Sequence, residues 1–316
     1  MMEMLSSMAK NLRLVFAGTP ANAARTLADL HSGGFNIVGV LTREDARVGK
    51  SRDLSPSPVA SVAAGLGLKT RKSNSMGADT LDWLLSLKAD LGVVVAYGAI
   101  FRSAVLEIPR LGWINLHYSL LPELPGPAPV QHALLKGLSA TGVTVFRLDE
   151  GIDTGPIVDQ MEVAIWQEDN SATLLDRLTT EGSRLLAGSI TQGEEAICSA
   201  TPQDLSTTTS HAYKPTRENA RVDFGSSAVD LTNKVRAMNP EPMAWFEHKG
   251  APVRILSARA TDESHPVRQA QILDKELVVG CKSGSLVLEV IQPAGKTPMS
   301  GSDWFRGMRV EKLELS

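Results

Sequence analysis

Short, continuous apolar runs alternate with helix-spaced segments through the first half of this 316-residue chain, and that alternation limits the fold more than any other feature. Leu12–Ala17 (LRLVFA) is a β-type run closed by Gly18-Thr19-Pro20, and Ala21–Leu30 then sets Ala24, Leu27 and Leu30 on one helical face. Phe35–Leu41 reads as a second strand. Val59–Ala64 reads as a helix opened by Pro58, and Thr80–Leu87 as an amphipathic helix. Leu91–Ala96 (LGVVVA) is apolar without a break, as a strand covered on both faces must be. Trp113–Leu116, Gly142–Leu148 and Ile157–Ile165 add strands, with helices expected over Pro129–Lys136 and Ser171–Ile190. Such an order predicts an α/β fold, a doubly wound, mostly parallel sheet with right-handed crossovers.

The texture changes at Ser199–Ser210 (SATPQDLSTTTS), which is small and polar. Beyond it a helix at Ala228–Met238 precedes short strands at Met243–Glu247, Val253–Ala258, Glu276–Gly280 and Ser285–Ile291, separated by Gly- and Pro-containing turns. The expected layout is a first domain over residues 1–198, a linker over 199–212 and a smaller β-barrel or sandwich over 213–316.

Composition excludes several classes. At 43% hydrophobic and 21% charged the chain is globular in character. It has no apolar run of about 18 residues for a membrane span. Residues 1–11 contain Glu3 and no apolar stretch, so no secretory signal is expected, and the expected location is cytoplasmic. Two cysteines, Cys198 and Cys281, cannot supply a disulfide framework. The six histidines show no ligand spacing with Cys or carboxylates, so no metal is expected; His132 reads as surface or packing. Net charge is −3, with 15 Lys+Arg against 14 Asp+Glu in residues 201–316 and 17 against 21 before them. A nucleic-acid partner is permitted by this balance and not required by it.

Chemistry concentrates in Trp113–Pro129 (WINLHYSLLPELPGPAP). In a strand starting at Trp113, Asn115 and His117 share a face and reach its carboxyl end, where doubly wound sheets hold ligands. Asp153, between Gly151 and Gly155 in a loop joining two strands, reads either as a turn residue or as a carboxylate for His117. As one unit the three make sense: a carboxylate fixes the tautomer of an imidazole, and an imidazolium and an amide can both donate to an oxyanion. That suits acyl transfer to an amine without a covalent enzyme intermediate. The turn Gly18-Thr19-Pro20 is not GxGxxG, which disfavours a dinucleotide site.

These residues carry a resemblance. Phe16–Pro20 (FAGTP), Ser57-Pro58-Val59, Val94–Gly98 (VVAYG), Asn115–Pro122 (NLHYSLLP), Asp153–Pro156 (DTGP), Asn239-Pro240 with Met243-Ala244-Trp245, and Gln292–Lys296 (QPAGK) are similar to the methionyl-tRNA formyltransferase family over essentially the whole chain. The resemblance implies 10-formyltetrahydrofolate as formyl donor and initiator methionyl-tRNA as acceptor. It implies Asn115, His117 and Asp153 as the catalytic trio, and a folate pocket walled by Val95, Ala96, Tyr97 and Gly98 and bordered by Ser119, Leu120, Leu121 and Pro122. It also implies an OB-like C-terminal domain that helps dock tRNA. The chain is expected to be a monomer. Candidate tRNA contacts are Arg43, Arg47, Lys50, Arg52 and Lys214, with Lys50 or Arg52 nearest the family's key arginine. The loop Thr42–Asp53 is diluted by Glu44, Asp45 and Asp53, and Glu123-Leu124-Pro125-Gly126 replaces a basic-aromatic-Arg-Gly sequence. The alternatives that use the same trio are a formyltransferase for a small amine, such as a nucleotide amino sugar, and a formyltetrahydrofolate hydrolase.

Overall fold

A computed structural model describes residues 11–47, 53–207 and 211–315. Lys50 and Arg52 lie outside the described residues. The chain separates into two compact units. The first holds residues 1–127, 141–164 and 175–211, and the second 128–140, 165–174 and 212–316.

In the first unit the elements run β1 (Leu14–Gly18), α1 (Ala21–Ser32), β2 (Ile37–Thr42), a short pair β3 (Ala46–Arg47) and β4 (Leu54–Ser55), α2 (Pro58–Gly65), β5 (Thr70–Lys72), α3 (Ala78–Leu87), β6 (Leu91–Val95), α4 (Ser103–Leu106) and β7 (Trp113–His117). After β8 (Ala140–Arg147) and β9 (Ile157–Ala164) come the long helix α6 (Ser171–Thr191) and the short α7 (Glu194–Cys198). The sheet order is β5-β2-β1-β6-β7-β8-β9. Pairing is parallel from β5 to β7 and antiparallel between β7 and β8. All residues of β1 and β6 are buried, which their unbroken apolar sequences required. Helix α2 starts where the sequence sets a cap and a proline together: Ser57 Oγ accepts from Ala60 N at 3.0 Å, and Pro58 occupies the first turn. At the centre, Trp113 lies flat over Gly92, where a Cβ would come within 2.1 Å of the indole, and Phe101 packs edge-on against the same ring.

The second unit is an antiparallel half-barrel. Its strands β10 (Trp245–His248), β11 (Ala251–Thr261), β12 (Gln269–Leu273), β13 (Glu276–Gly280), β14 (Ser285–Pro293) and β16 (Leu313–Glu314) lie in the order β10-β11-β14-β13-β12-β16, with β15 (Met299–Ser300) added to β14. Register shifts along β11 between Ile255 and Ala258 curl the sheet. Its core, which includes Phe224, Phe246, Leu277, Leu286 and Phe305, is closed by α8 (Ala228–Met238) and α9 (Gly301–Arg306). Residues 128–140 and 165–174 belong with this unit because they pack on it. Helix α5 (Pro129–Leu135) lies against α8, Arg236 donates to the carbonyls of Trp166 and Asp169, and Ser171 Oγ donates to Asn239 O at 2.6 Å.

Candidate functional site

Strand β7 sets the site. Trp113, at its start, is 1% exposed and donates its indole N–H to Val105 O at 2.8 Å, so the strand is anchored where it enters the sheet. Asn115 and His117 follow on the same face. The Asn115 Oδ1 is buried with no hydrogen-bond partner, and His117 is buried beside Phe146, ring edge to ring face at 6.4 Å. A buried amide oxygen without a donor is unfavourable in a resting fold, and it marks a place where a polar group of a ligand can be received.

Beyond His117 the chain enters the loop Tyr118–Gly126, held from beneath by two side chains. Thr144 Oγ1, opposite His117 in the β7–β8 register, donates to Ser119 O at 2.7 Å and accepts from Leu121 N at 3.1 Å. Gln160 on β9 donates to Leu121 O at 2.7 Å and to Thr144 Oγ1 at 2.9 Å. Ser119 Oγ donates to Glu123 O at 2.6 Å. The loop then turns with positive φ at Leu124 (55°) and Gly126 (114°) and presents the Leu124 carbonyl to His117.

The imidazole is engaged at both nitrogens. A carbonyl only accepts, so the 3.1 Å contact of Nε2 with Leu124 O places a proton on Nε2. Nδ1 therefore faces Asp153, whose Oδ2 lies 3.6 Å away. The same Oδ2 accepts the Gly126 N–H at 2.7 Å, so one carboxylate oxygen joins the loop after β7 to the loop after β8. Asp153 has a φ of +56°, a conformation costly to a non-glycine residue, and its loop is braced on every side. Asp149 Oδ1 accepts from Gly151 N and Thr154 Oγ1, while Gly155 sits so close to Arg147 O that a Cβ would come within 1.8 Å. Gln203 donates to Asp153 O at 2.9 Å and to Gly155 O at 2.7 Å.

The second expected wall, Val95–Gly98, divides by orientation. Val95 and Tyr97 are buried, Tyr97 stacking edge-on against Phe101 and donating its hydroxyl to Ser73 O at 2.7 Å. Burial pushes the Tyr97 phenol above its usual range, the nearby Arg43 charge opposing it. Ala96 and Gly98 are exposed, both with positive φ (47° and 85°), so the face they present is almost bare backbone. Arg43 holds this segment in place. Its Nε donates to Tyr97 O at 3.3 Å, Nη2 to Gly98 O and Nη1 to Asn74 O at 3.0 Å, with the guanidinium 5.6 Å from the Tyr97 ring. Thr19 Oγ1 adds a bond to Tyr97 O at 3.0 Å.

The structure thus brings Asn115, His117, Asp153 and Ser119–Pro122 together around the end of β7. Arg47 and Lys214 are exposed. Thr144, Gln160 and Gln203 went unnoticed in the sequence: the first two are ordinary strand residues, and Gln203 stands in the segment read as linker. Among the described residues, no group of three or more His, Cys, Asp or Glu could hold a metal ion.

Residues 12–190 match the formyl transferase family, and residues 214–309 match the formyl transferase C-terminal domain. The chain is 39% identical to the methionyl-tRNA formyltransferase of Renibacterium salmoninarum over 94% of its own length and 97% of that protein's, and 38% identical to that of Paenarthrobacter aurescens with the same coverage. It belongs to the methionyl-tRNA formyltransferase family. Among solved structures, the N-formyltransferase of Helicobacter canadensis in complex with folinic acid and dTDP-3-aminofucose shares the fold, with a TM-score of 0.65 at 18% identity over 89% of this chain and 99% of that one. HypX of Aquifex aeolicus in complex with tetrahydrofolic acid has a TM-score of 0.60 at 15% identity, covering 93% of this chain and 47% of that one.

Proposed function

We propose that this chain transfers the formyl group of 10-formyltetrahydrofolate to the α-amino group of methionine on initiator methionyl-tRNA, with Asn115, His117 and Asp153 as its catalytic residues. The observation that carries the reading is the His117–Asp153 pair at the end of β7, in a chain that matches a named relative over 94% of its length. The exposed backbone at Ala96 and Gly98 fits a flat pterin ring, and the buried, unpartnered Asn115 Oδ1 fits a polar group brought by a ligand. Bound there, 10-formyltetrahydrofolate would supply the activated formyl carbon: the methionine amine bonds to it, the carbon–N10 bond breaks, and the proton lost by the amine ends on N10 of the departing tetrahydrofolate. The Asn115 amide N–H donates to the formyl oxygen as it gains charge, and Asp153 aims the imidazole. His117 is the second donor. In the described conformation its Nε2–H is given to Leu124 O, so reaching the oxyanion requires that bond to be shared or released. Ser119, Thr144 and Gln160 hold the rest of the loop while Leu124 adjusts.

Transfer of radiolabelled formyl to methionine-charged initiator tRNA, with charged elongator tRNA alongside, tests the reading. The expected result is label on the initiator alone. His117→Ala should slow the reaction about 10²–10³-fold, the usual loss for one oxyanion donor. Label on a small amine without tRNA, or release of formate alone, would move the chain to another acceptor.

A further inference from the structure

The Asp153 loop is gripped by a side chain that arrives from far along the chain. Ile157, the first residue of β9, and Thr201 exchange both main-chain hydrogen bonds, Ile157 N to Thr201 O at 2.7 Å and Thr201 N to Ile157 O at 2.8 Å, as an antiparallel pair does. Carried on two residues in each direction, that register sets Gln203 opposite Gly155 on one face. Gln203 Nε2 then donates to Asp153 O at 2.9 Å and to Gly155 O at 2.7 Å. Carbonyls only accept, so the amide can turn only its NH2 toward them, and both N–H groups are engaged there. The Gln203 Oε1 is buried and has no partner, so the amide is oriented by its donors alone.

The aim of the Asp153 side chain depends on that grip. Its φ of +56° is a conformation that a non-glycine residue leaves readily unless its surroundings hold it. The Asp153 carbonyl shares its Cα with the carboxylate-bearing side chain, so holding the carbonyl oxygen limits rotation there and fixes where the side chain points. Gly126 N–H holds the other end, at Oδ2, at 2.7 Å. Between these two restraints Oδ2 stands 3.6 Å from His117 Nδ1. That is just outside the ordinary hydrogen-bond range of about 2.7–3.2 Å, so a shift of a few tenths of an ångström decides whether carboxylate and imidazole are joined.

We infer that Gln203 is a positioning residue for formyl transfer: through its two main-chain bonds it sets the reach of the Asp153 carboxylate to His117. Its effect on the rate therefore passes through Asp153, and the inference rests on the reading of Asp153 as catalytic.

The test is the rate of formyl transfer to methionine-charged initiator tRNA by the full chain, unaltered and as Gln203→Leu, Gln203→Glu, Asp153→Asn and Gln203→Leu/Asp153→Asn, with thermal unfolding establishing that each is folded. Gln203→Leu keeps the bulk and removes both donors. Its kcat should fall about tenfold to a hundredfold, the scale of a small misplacement at a reacting centre, with both KM values within about twofold. Asp153→Asn keeps a residue that tolerates the left-handed backbone and should lower kcat about 10²-fold or more. Added to Asp153→Asn, the leucine should cost less than about twofold further, because no carboxylate is left to aim; a role in fold stability alone would multiply the two losses. In Gln203→Glu a carboxylate faces two carbonyls, and taking up a proton returns one donor. Its rate relative to the unaltered protein should recover severalfold from about pH 8 to about pH 5.5, while the ratio for Gln203→Leu stays level. If Gln203→Leu does not fold, this recovery decides alone, and a level ratio overturns the inference. Losses that multiply in the double variant, or no loss in Gln203→Leu, would overturn the role of Gln203 and leave the trio standing. A loss under about tenfold in Asp153→Asn would refute the catalytic assignment of Asp153 and the inference with it.

Discussion

An arginine has five N–H donors in a rigid plane, and Arg43 aims three of its nitrogens at the carbonyls of Tyr97, Gly98 and Asn74. The resemblance implied a tRNA contact for it, as for Arg47, Lys50 and Arg52; its hydrogen bonds make it the brace for the backbone wall at Ala96 and Gly98. Arg43→Lys separates the two roles because it keeps the charge and loses the fork. The expected outcome is a KM for the folate donor raised about five- to tenfold, the scale of one net hydrogen bond of about 1 kcal/mol, with the KM for tRNA within twofold of its starting value. Steady-state kinetics with each substrate varied in turn checks this; a rise confined to the tRNA KM would return Arg43 to the acceptor side. Residues like Asn115 and His117 were legible because period-2 alternation in a strand fixes which side chains share a face. Gln203 was not, since a glutamine in a small, polar stretch carries no local mark of the Asp153 and Gly155 carbonyls it serves, which precede it by about 50 positions.

Elements were legible in proportion to how much apolar sequence they bury. Ala228–Met238 and Glu276–Gly280 have the bounds their patterns predict, and β1 and β6 differ only at their ends. The missed strands are edge or polar ones: β5 (Thr70–Lys72) at the border of the first sheet, and β12 (Gln269–Leu273), which has Gln269 and Gln271 among its five residues. Helix α9 was missed although Ser300 and Asp303 form its cap, with Ser300 Oγ accepting from Asp303 N at 3.1 Å, because six residues are too few for a helical period. This helix carries Trp304, against which His248, the last residue of β10, packs edge-on at 5.3 Å. The His248 Nε2 is buried without a partner; burial, with the charge of Lys249, pushes its pKa below the usual histidine value. A lowered pKa means the folded state resists the proton that the unfolded chain accepts. The stability contribution is thus complete above about pH 6.5 and is lost as pH falls toward the folded-state value. Between pH 7.5 and 5.5 the midpoint of thermal unfolding should fall, and His248→Gln should make that fall smaller. Parallel curves for the two proteins would show that this histidine titrates alike in both states.

For the whole molecule, two electrostatic effects oppose each other when the acceptor is a tRNA. The net charge of −3 repels a polyanion, and salt would screen that repulsion and lower the KM. Local guanidiniums and lysines attract it and release counterions, and salt would raise the KM. Distance decides between them. At about 0.1 M salt the screening length is about 10 Å, so charges spread over a surface larger than that act weakly, while contacts at hydrogen-bond range persist. The spread is also uneven, the residues before 201 carrying a net of −4 and those from 201 onward a net of +1. Contact terms therefore dominate, and the KM for initiator tRNA should rise steadily between about 50 and 200 mM salt. The folate donor, proposed to bind against exposed backbone at Ala96 and Gly98, should show a far shallower dependence and serves as the internal control. Initial rates with one substrate saturating and the other varied give both slopes from a single preparation. A tRNA slope as shallow as that of the folate would mean that the exposed arginines and lysines of the second unit make no phosphate contact in the working complex, and that the acceptor is held through its aminoacyl end alone.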